Sequence, residues 1–259
     1  MGAEKNPYRR ILQAAATDRR RLYQELYAAD ARAAARALDD VLSKPRRKRR
    51  IALYRRIIGP GHGAILEIGC GLGDLTHALG DLARSTVGVD VSLSRASIAH
   101  RYGGCSDGGG AGRQVEFSAM NAISLGFRSG SFDWAVSSSM VEHLHPDDVD
   151  VHLAEVWRVL RPGGHYLVWC PNRLGHHQDR DFHLCMMSYA ELRQRMARAG
   201  FGNFKAPLFN WPPMVGAGFK VAAERALSAL GIKLLWSHLG LRSICMVGQK
   251  AGRDPRAAT

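Results

Sequence analysis

Residues 66–76, LEIGCGLGDLT, decide how the rest of the chain is read. An apolar run ends there, glycines stand at positions 69, 71 and 73, and a helix-forming segment follows at once. Glycine allows the backbone turns that other residues resist, so such a loop brings the main chain close to a ligand. Phosphates, a dinucleotide or a sulfonium cofactor would all suit a glycine loop at this place. The flanking sequence has to choose among them.

Working outward, strand and helix signals alternate. AILEIG (64–69) reads as a short buried strand and DLTHALGDLA as a helix. STVGVDVS is a second strand, LSRASIAHRY a helix, QVEFSAM a third strand and SFDWAVSSS a fourth. Pro146, Asp147 and Asp148 open a helix through DVHLAEVWRVL, where acids suit the positive end of the dipole. RPGG is expected to stop that helix before the strand HYLVWC. Ser188 and Glu191 form a capping box ahead of the next helix. This rhythm predicts an α/β fold, Rossmann-like and doubly wound, with a mostly parallel seven-stranded sheet and helices on both faces. Its ligands bind beyond the carboxyl ends of the strands. The glycine-rich segment 103–112 reads as a surface loop.

A phosphate-binding Walker loop needs Lys and Ser or Thr after its last glycine, whereas Gly73 is followed by Asp74 and Leu75. A dinucleotide fingerprint needs GxGxxG, and Asp74 occupies its third glycine position, where a carboxylate repels a pyrophosphate. Glu67 before the loop suits a cationic ligand. Asp90, ending the second strand, can accept from both ribose hydroxyls of an adenosine. Together these features favour S-adenosylmethionine, which carries an ammonium, a sulfonium and a carboxylate but no phosphate.

The segments ILEIGCGLGDLT, VGVDVS, SFDWAVSSSMVEHL and HLAEVWRVLRPGGHYLVWCPN occur in that order. Over roughly residues 60–205 the chain resembles the class I S-adenosylmethionine-dependent methyltransferases, in the variety that includes quinone-biosynthesis and small-molecule enzymes. The resemblance implies that Glu67 and the backbone of Gly69, Cys70, Gly71 and Gly73 hold the methionine portion. Asp90, with Val91 beside it, would hold the ribose. Asn121, with Ala122, stands where relatives carry an Asp that accepts from the adenine amino group. Ser137 and Ser138 would lie beneath the reacting centre, Ser137 toward the cofactor and Ser138 toward the acceptor. His183 resembles a histidine that lines the acceptor pocket in relatives.

Methyl transfer from a sulfonium requires alignment of three atoms and, for a protonated acceptor, removal of a proton. His143, after the fourth strand, suits deprotonation of a hydroxyl near neutrality, with His145 a weaker candidate. The histidines and acids of 176–183 match no closed zinc spacing, so no metal is expected. The aminomethylating [DN]PP[YF] motif is absent, and Cys170 precedes Pro171 rather than following a proline. Nucleic-acid methylation therefore rests on charge alone.

That charge is +13, from 36 Lys and Arg against 23 Asp and Glu in 259 residues. It favours anionic partners. Five scattered cysteines without CxxC spacing fit a reducing compartment. No apolar run reaches the ~18 residues needed to span a bilayer. A cytoplasmic location follows, with peripheral contact to an anionic membrane as an option. Residues 1–58 read as a basic helical extension, broken at Pro45, with six basic residues within 44–50. Residues 59–250 form the methyltransferase domain, interrupted by a helical insertion at about 210–238, and 251–259 form a disordered tail. Within the insertion, Phe219, Ala222, Ala226 or Leu227, and Leu230 share one face, with Lys220, Glu224 and Lys233 elsewhere. That face would pack on the sheet, cover an apolar substrate or lie in a membrane interface. The reading is methyl transfer to a small or lipid-like acceptor, O preferred over C or N. An RNA methyltransferase, an NAD-dependent oxidoreductase and a non-catalytic cofactor-binding scaffold are its rivals.

Overall fold

The computed structural model describes residues 7–36, 44–103, 113–174, 183–207, 214–230 and 241–251. The predicted loop at 104–112, residues 175–182, Lys233 with the rest of 231–240, and the tail from 252 lie outside the described residues. The chain divides into two compact units, residues 1–126 and 127–259.

The first unit contains three basic helices and a three-stranded sheet. The helices are α1 (Pro7–Gln13), α2 (Ala16–Arg36) and α3 (Pro45–Ile58). Pro45 sits in the first turn of α3, where its missing N–H costs nothing. There follow β1 (His62–Ile68), α4 (Asp74–Leu79), β2 (Ala83–Asp90), α5 (Leu93–Gly103) and β3 (Gln114–Ala119). The strands lie in the order β3-β2-β1 and run parallel, with Ile65 opposite Thr86 and Val87 opposite Glu116. Ile65, Leu66 and Ile68 are buried, as a parallel strand covered on both faces requires. Two glycines make close packing possible. A Cβ on Gly88 would stand 2.7 Å from Thr76 Oγ1, and one on Gly73 would stand 2.6 Å from the Phe117 ring.

Residues 45–50 of the basic segment form the first turns of α3, and one of their charges is engaged. Arg47 Nε donates to Asp74 Oδ2 at 2.5 Å, tying α3 to the first turn of α4. About two turns further on, Arg55 grips Asp81 through both terminal guanidinium nitrogens and also donates to the Ala78 carbonyl. That pairing lowers the Asp81 carboxyl from its ordinary range.

The second unit contains β4 (Phe132–Ser138), a 3-10 turn (Val141–His143), α6 (Asp148–Val159), β5 (Leu160–Pro171) and α7 (Tyr189–Arg198). It continues with β6 (Phe201–Pro207), β7 (Met214–Gly216), α8 (Ala217–Ala229) and β8 (Ser243–Lys250). Strand order is β4-β5-β8-β6-β7: β4 and β5 pair in parallel and the remaining pairs are antiparallel. The fold is therefore α/β and Rossmann-like, but the described residues form eight strands rather than the expected seven. The additional one is the short β7, which pairs Val215 with Ala206.

Two further expectations are corrected. RPGG does not separate α6 from β5; it lies inside β5, and α6 already ends at Val159. The strand absorbs it as an irregularity: Phe132 pairs with Leu160, but Trp134 pairs with His165. Gly163, at φ 79°, makes that detour possible. Lys250 closes the end of α6 by donating to the Trp157 and Leu160 carbonyls at 2.7 Å each, with its ammonium 3.8 Å from the Trp157 ring centroid. The second correction concerns α8, whose orientation is the reverse of the amphipathic reading. Lys220 and Glu224 are buried, whereas Phe219 is 49% and Leu230 69% exposed. The reason is a polar anchor. Glu224 Oε1 accepts from Asn172 Nδ2 at 2.8 Å and from the Tyr189 N–H at 3.1 Å. A buried carboxylate with such partners fixes the helix more firmly than one aromatic ring does. The capping box at Ser188 forms as expected, with both of its hydrogen bonds present.

Candidate functional site

The glycine loop follows from its backbone angles. Gly69, Gly71 and Gly73 have φ of 77°, 57° and 81°, a region that L side chains rarely adopt. The Gly69 and Cys70 N–H groups both donate to the Val89 carbonyl, which seats the loop on the end of β2. The three glycines then divide their work. At Gly73 a Cβ would strike Phe117 and Ala99, so this glycine serves helix–sheet packing. At Gly71 a Cβ would meet nothing within 4 Å, so bare backbone faces open space.

Asp90 joins the two loops at the sheet edge. Its Oδ2 accepts from the Gly71 N–H and its Oδ1 from the Ser92 N–H, both at 2.9 Å. Each oxygen keeps a second lone pair for a ligand hydroxyl. Burial raises the Asp90 carboxyl above its ordinary value, against the pull of those two bonds. Glu67 lies deeper, 2% exposed, and accepts from Thr76 Oγ1. Desolvation pushes its pKa up to about 8, opposed by the Thr76 bond and the Arg47 charge. A buried carboxylate held near neutrality gains most from a cationic neighbour. Cys70 is buried, its thiol held well above the ordinary value by the same desolvation.

Val91 is half-buried beside Asp90. Asn121 Oδ1 accepts from the Ile123 N–H at 3.2 Å, shaping a turn in which Ala122 is half-buried. Nearby, Leu93, Ala96, Ser97, Phe117, Ser118 and Ala119 contribute to a groove of about 490 Å³ between α5 and β3. All of these residues belong to the first unit, and the set fits S-adenosylmethionine. The open glycine suits its methionine backbone, Asp90 its ribose diol, and Glu67 the positive charge.

The remaining expected residues belong to the second unit. Ser137 is completely buried and accepts from Tyr166 Oη at 2.9 Å; that hydroxyl also lies 2.9 Å from His152 Nε2. The Ser137 hydroxyl is thus part of a buried polar network at the end of β4. Ser138 is half-buried, and its Oγ has no hydrogen-bond partner. The next residue, Ser139, has φ 55°, a costly conformation for a non-glycine residue. It turns the chain out of β4 toward the 3-10 turn that carries Glu142 and His143. Glu142 is buried and His143 half-buried, and the His143 ring lies 5.1 Å from that of His183, centroid to centroid. His145 does different work: its Nδ1 accepts from the Asp147 N–H at 3.2 Å, at the start of α6. Glu142 escaped the sequence reading. The acid beside His143 was visible, but nothing in the sequence signalled that His183 would join it.

A strand, a left-handed glycine loop and an acid closing the next strand together form a cofactor-binding edge. The model of the family described as a methyltransferase domain matches residues 66–168. A probable S-adenosylmethionine-dependent methyltransferase of Mycolicibacterium smegmatis is 32% identical over 163 residues, 60% of this chain and 58% of its own length. A ubiquinone biosynthesis O-methyltransferase of Sinorhizobium medicae is 31% identical over 109 residues, 42% of this chain and 41% of its own. The chain thus spans about half the length of these curated relatives. The crystal structure of the YcgJ protein of Bacillus subtilis shares the fold, with TM-score 0.57 at 18% identity, covering 79% of this chain and 99% of that one. Over residues 66–168 the chain is thus similar to methyltransferase domains, and its relatives include S-adenosylmethionine-dependent enzymes.

Proposed function

We propose that this chain transfers the methyl group of S-adenosylmethionine to a hydroxyl of a small or lipid-like acceptor. The carrying observation is the loop at 69–73, with Gly71 open on one side and clamped by Asp90 on the other. Bound S-adenosylmethionine supplies a methyl group already activated on a sulfonium. The chain's own residues have three tasks. Asp90 would receive the ribose hydroxyls, the backbone around Gly71 the methionine tail, and Glu67 the positive charge of the cofactor, which favours its ionised form. His143 takes the proton of the acceptor hydroxyl as the new bond forms.

The O-methyl preference is supported by the imidazole pair His143 and His183, and by the name of the Sinorhizobium relative. The lipid-like acceptor is supported by the outward Phe219 and Leu230 of α8, together with the basic balance of the chain. The same features favour peripheral contact with an anionic membrane. No described helix is long and apolar enough to cross a membrane.

The test incubates the full chain with methyl-labelled S-adenosylmethionine and a cellular lipid extract, followed by mass identification of labelled products. An O-methylated product formed by the wild type and lost with Asp90→Ala supports the reading. Stabilisation by NADH but not by S-adenosylhomocysteine would favour an oxidoreductase instead. Tight S-adenosylhomocysteine binding without labelled product from lipids, polar metabolites or RNA would favour a scaffold.

A further inference from the structure

The geometry of the second unit points to a metal site: we infer that Glu142, His143 and His183 bind one divalent ion of the zinc class. One ligand atom from each residue lies within 4.8 Å of those of the other two. Tetrahedral zinc with bonds of about 2.0–2.2 Å holds its ligand atoms about 3.4 Å apart, so side-chain rotations have to draw the three closer to complete the set. Two imidazoles and one carboxylate are the donors of zinc sites that keep a fourth position for water or substrate. Calcium and magnesium prefer oxygen donors throughout, which disfavours them here.

The cluster is held by the fold, independently of any ion. Glu142 and His143 come from one 3-10 turn. The Cys185 N–H donates to the Glu142 carbonyl at 3.0 Å and pins the segment carrying His183 against that turn. The two rings are tilted 46° to each other rather than stacked. Glu142 is 2% exposed. The expectation of no metal came from spacing within 176–183; these ligands come from two distant segments, and spacing could not reveal them.

Resting on the O-methylation reading, the open position takes the acceptor's hydroxyl. The ion lowers the hydroxyl's pKa, its O–H bond breaks and the proton leaves to solvent. The oxygen's electron pair forms the O–CH3 bond while the methyl–sulfur bond breaks and its pair returns to sulfur. In the metal-loaded protein His143 is a ligand; in the metal-free protein its imidazole is available as the base.

The chelator-treated chain is titrated with zinc by calorimetry, without acceptor, and cobalt is added separately to record its visible ligand-field spectrum. The expected result is one zinc per chain and a cobalt spectrum of low-symmetry, four- or five-coordinate type. Glu142→Gln and His183→Ala should each weaken zinc binding by about 100-fold or more, at or beyond the upper end of second-shell losses. Circular dichroism checks that each variant is folded, and His183→Ala decides the matter if the buried Glu142 substitution does not fold. Absence of stoichiometric zinc binding, or binding unchanged in folded His183→Ala, overturns the site. Because no acceptor is present, failure of the O-methylation reading leaves this titration intact, so the two failures are distinguishable.

Discussion

Two alanines, placed two residues apart, separate ligand contact from packing in the glycine loop. Gly71 and Gly73 have similar left-handed φ, 57° and 81°. Gly→Ala at either position therefore carries a similar backbone penalty, about 1–2 kcal/mol. What differs is the space that the methyl enters. At Gly73 it stands 2.6 and 2.7 Å from Phe117 ring atoms and 2.8 Å from the Ala99 Cβ, closer than real Cβ contacts. Relieving that overlap adds about 1–3 kcal/mol, so Gly73→Ala should lose about 2–5 kcal/mol in total. At Gly71 the methyl meets nothing, and only the backbone penalty remains. With about 3 °C lost per kcal/mol for a protein of this size, Gly71→Ala should lower Tm by roughly 3–6 °C and Gly73→Ala by roughly 6–15 °C. Affinity should reverse the ranking. Gly71→Ala puts a methyl where the cofactor approaches, and a loss of about 1.4 kcal/mol or more is at least tenfold in Kd. Differential scanning fluorimetry gives the first quantity and calorimetric titration with S-adenosylhomocysteine the second. Wild-type Kd in Gly71→Ala, or a smaller Tm loss in Gly73→Ala than in Gly71→Ala, would refute this division of labour.

Three further outcomes are expected. Glu67 is raised from 4.5 to about 8 on folding, so the native state holds its proton while the unfolded state has lost it, and stability falls as pH rises through that window. Glu67→Gln retains an acceptor for Thr76 and removes this slope; its Tm should match the wild type near pH 5 and exceed it near pH 9, and an equal loss at both would sink the assignment. The part-buried Arg47–Asp74 pair should show a coupling of about 1 kcal/mol or more in an Arg47→Ala, Asp74→Ala double-mutant cycle measured by urea unfolding; additive losses would mean that α3 docks by other contacts. Lys250→Met deletes both hydrogen bonds at the end of α6 and should cost about 1–3 kcal/mol of unfolding free energy, whereas an unchanged midpoint would make that cap dispensable.

The parts legible in the sequence are those set by local chemistry. Left-handed turns demand glycine, so residues 69, 71 and 73 announced the loop. A capping box is a short-range pair, so Ser188 and Glu191 announced the start of α7. The helices between β1 and β2, β2 and β3, and β4 and β5 reported parallel pairs, because crossovers need that length of chain. Long-range contacts had no such signal. Helical periodicity found two faces on α8 but could not say which one turns inward; Asn172 and the Tyr189 N–H settle that, from outside the helix. The basic run 44–50 showed only as a cluster of charge, yet Arg47 finds Asp74 across 27 positions. His143 stood out by its place after β4, but its neighbour His183 became visible only when the Cys185 N–H met the Glu142 carbonyl.

The pair of hydrogen bonds that Asp90 accepts from Gly71 and Ser92 has a kinetic corollary. Two loops that would otherwise be ordered by an arriving ligand are already tied together, so the entropy of ordering them is spent in folding rather than in binding. Cofactor capture then resembles docking onto a finished surface, with a rate set by encounter and orientation. Asp90 is consequently a poor residue for isolating cofactor affinity by mutation: removing its carboxylate slackens both loops at once, and the slackened loops would bind slowly as well as weakly.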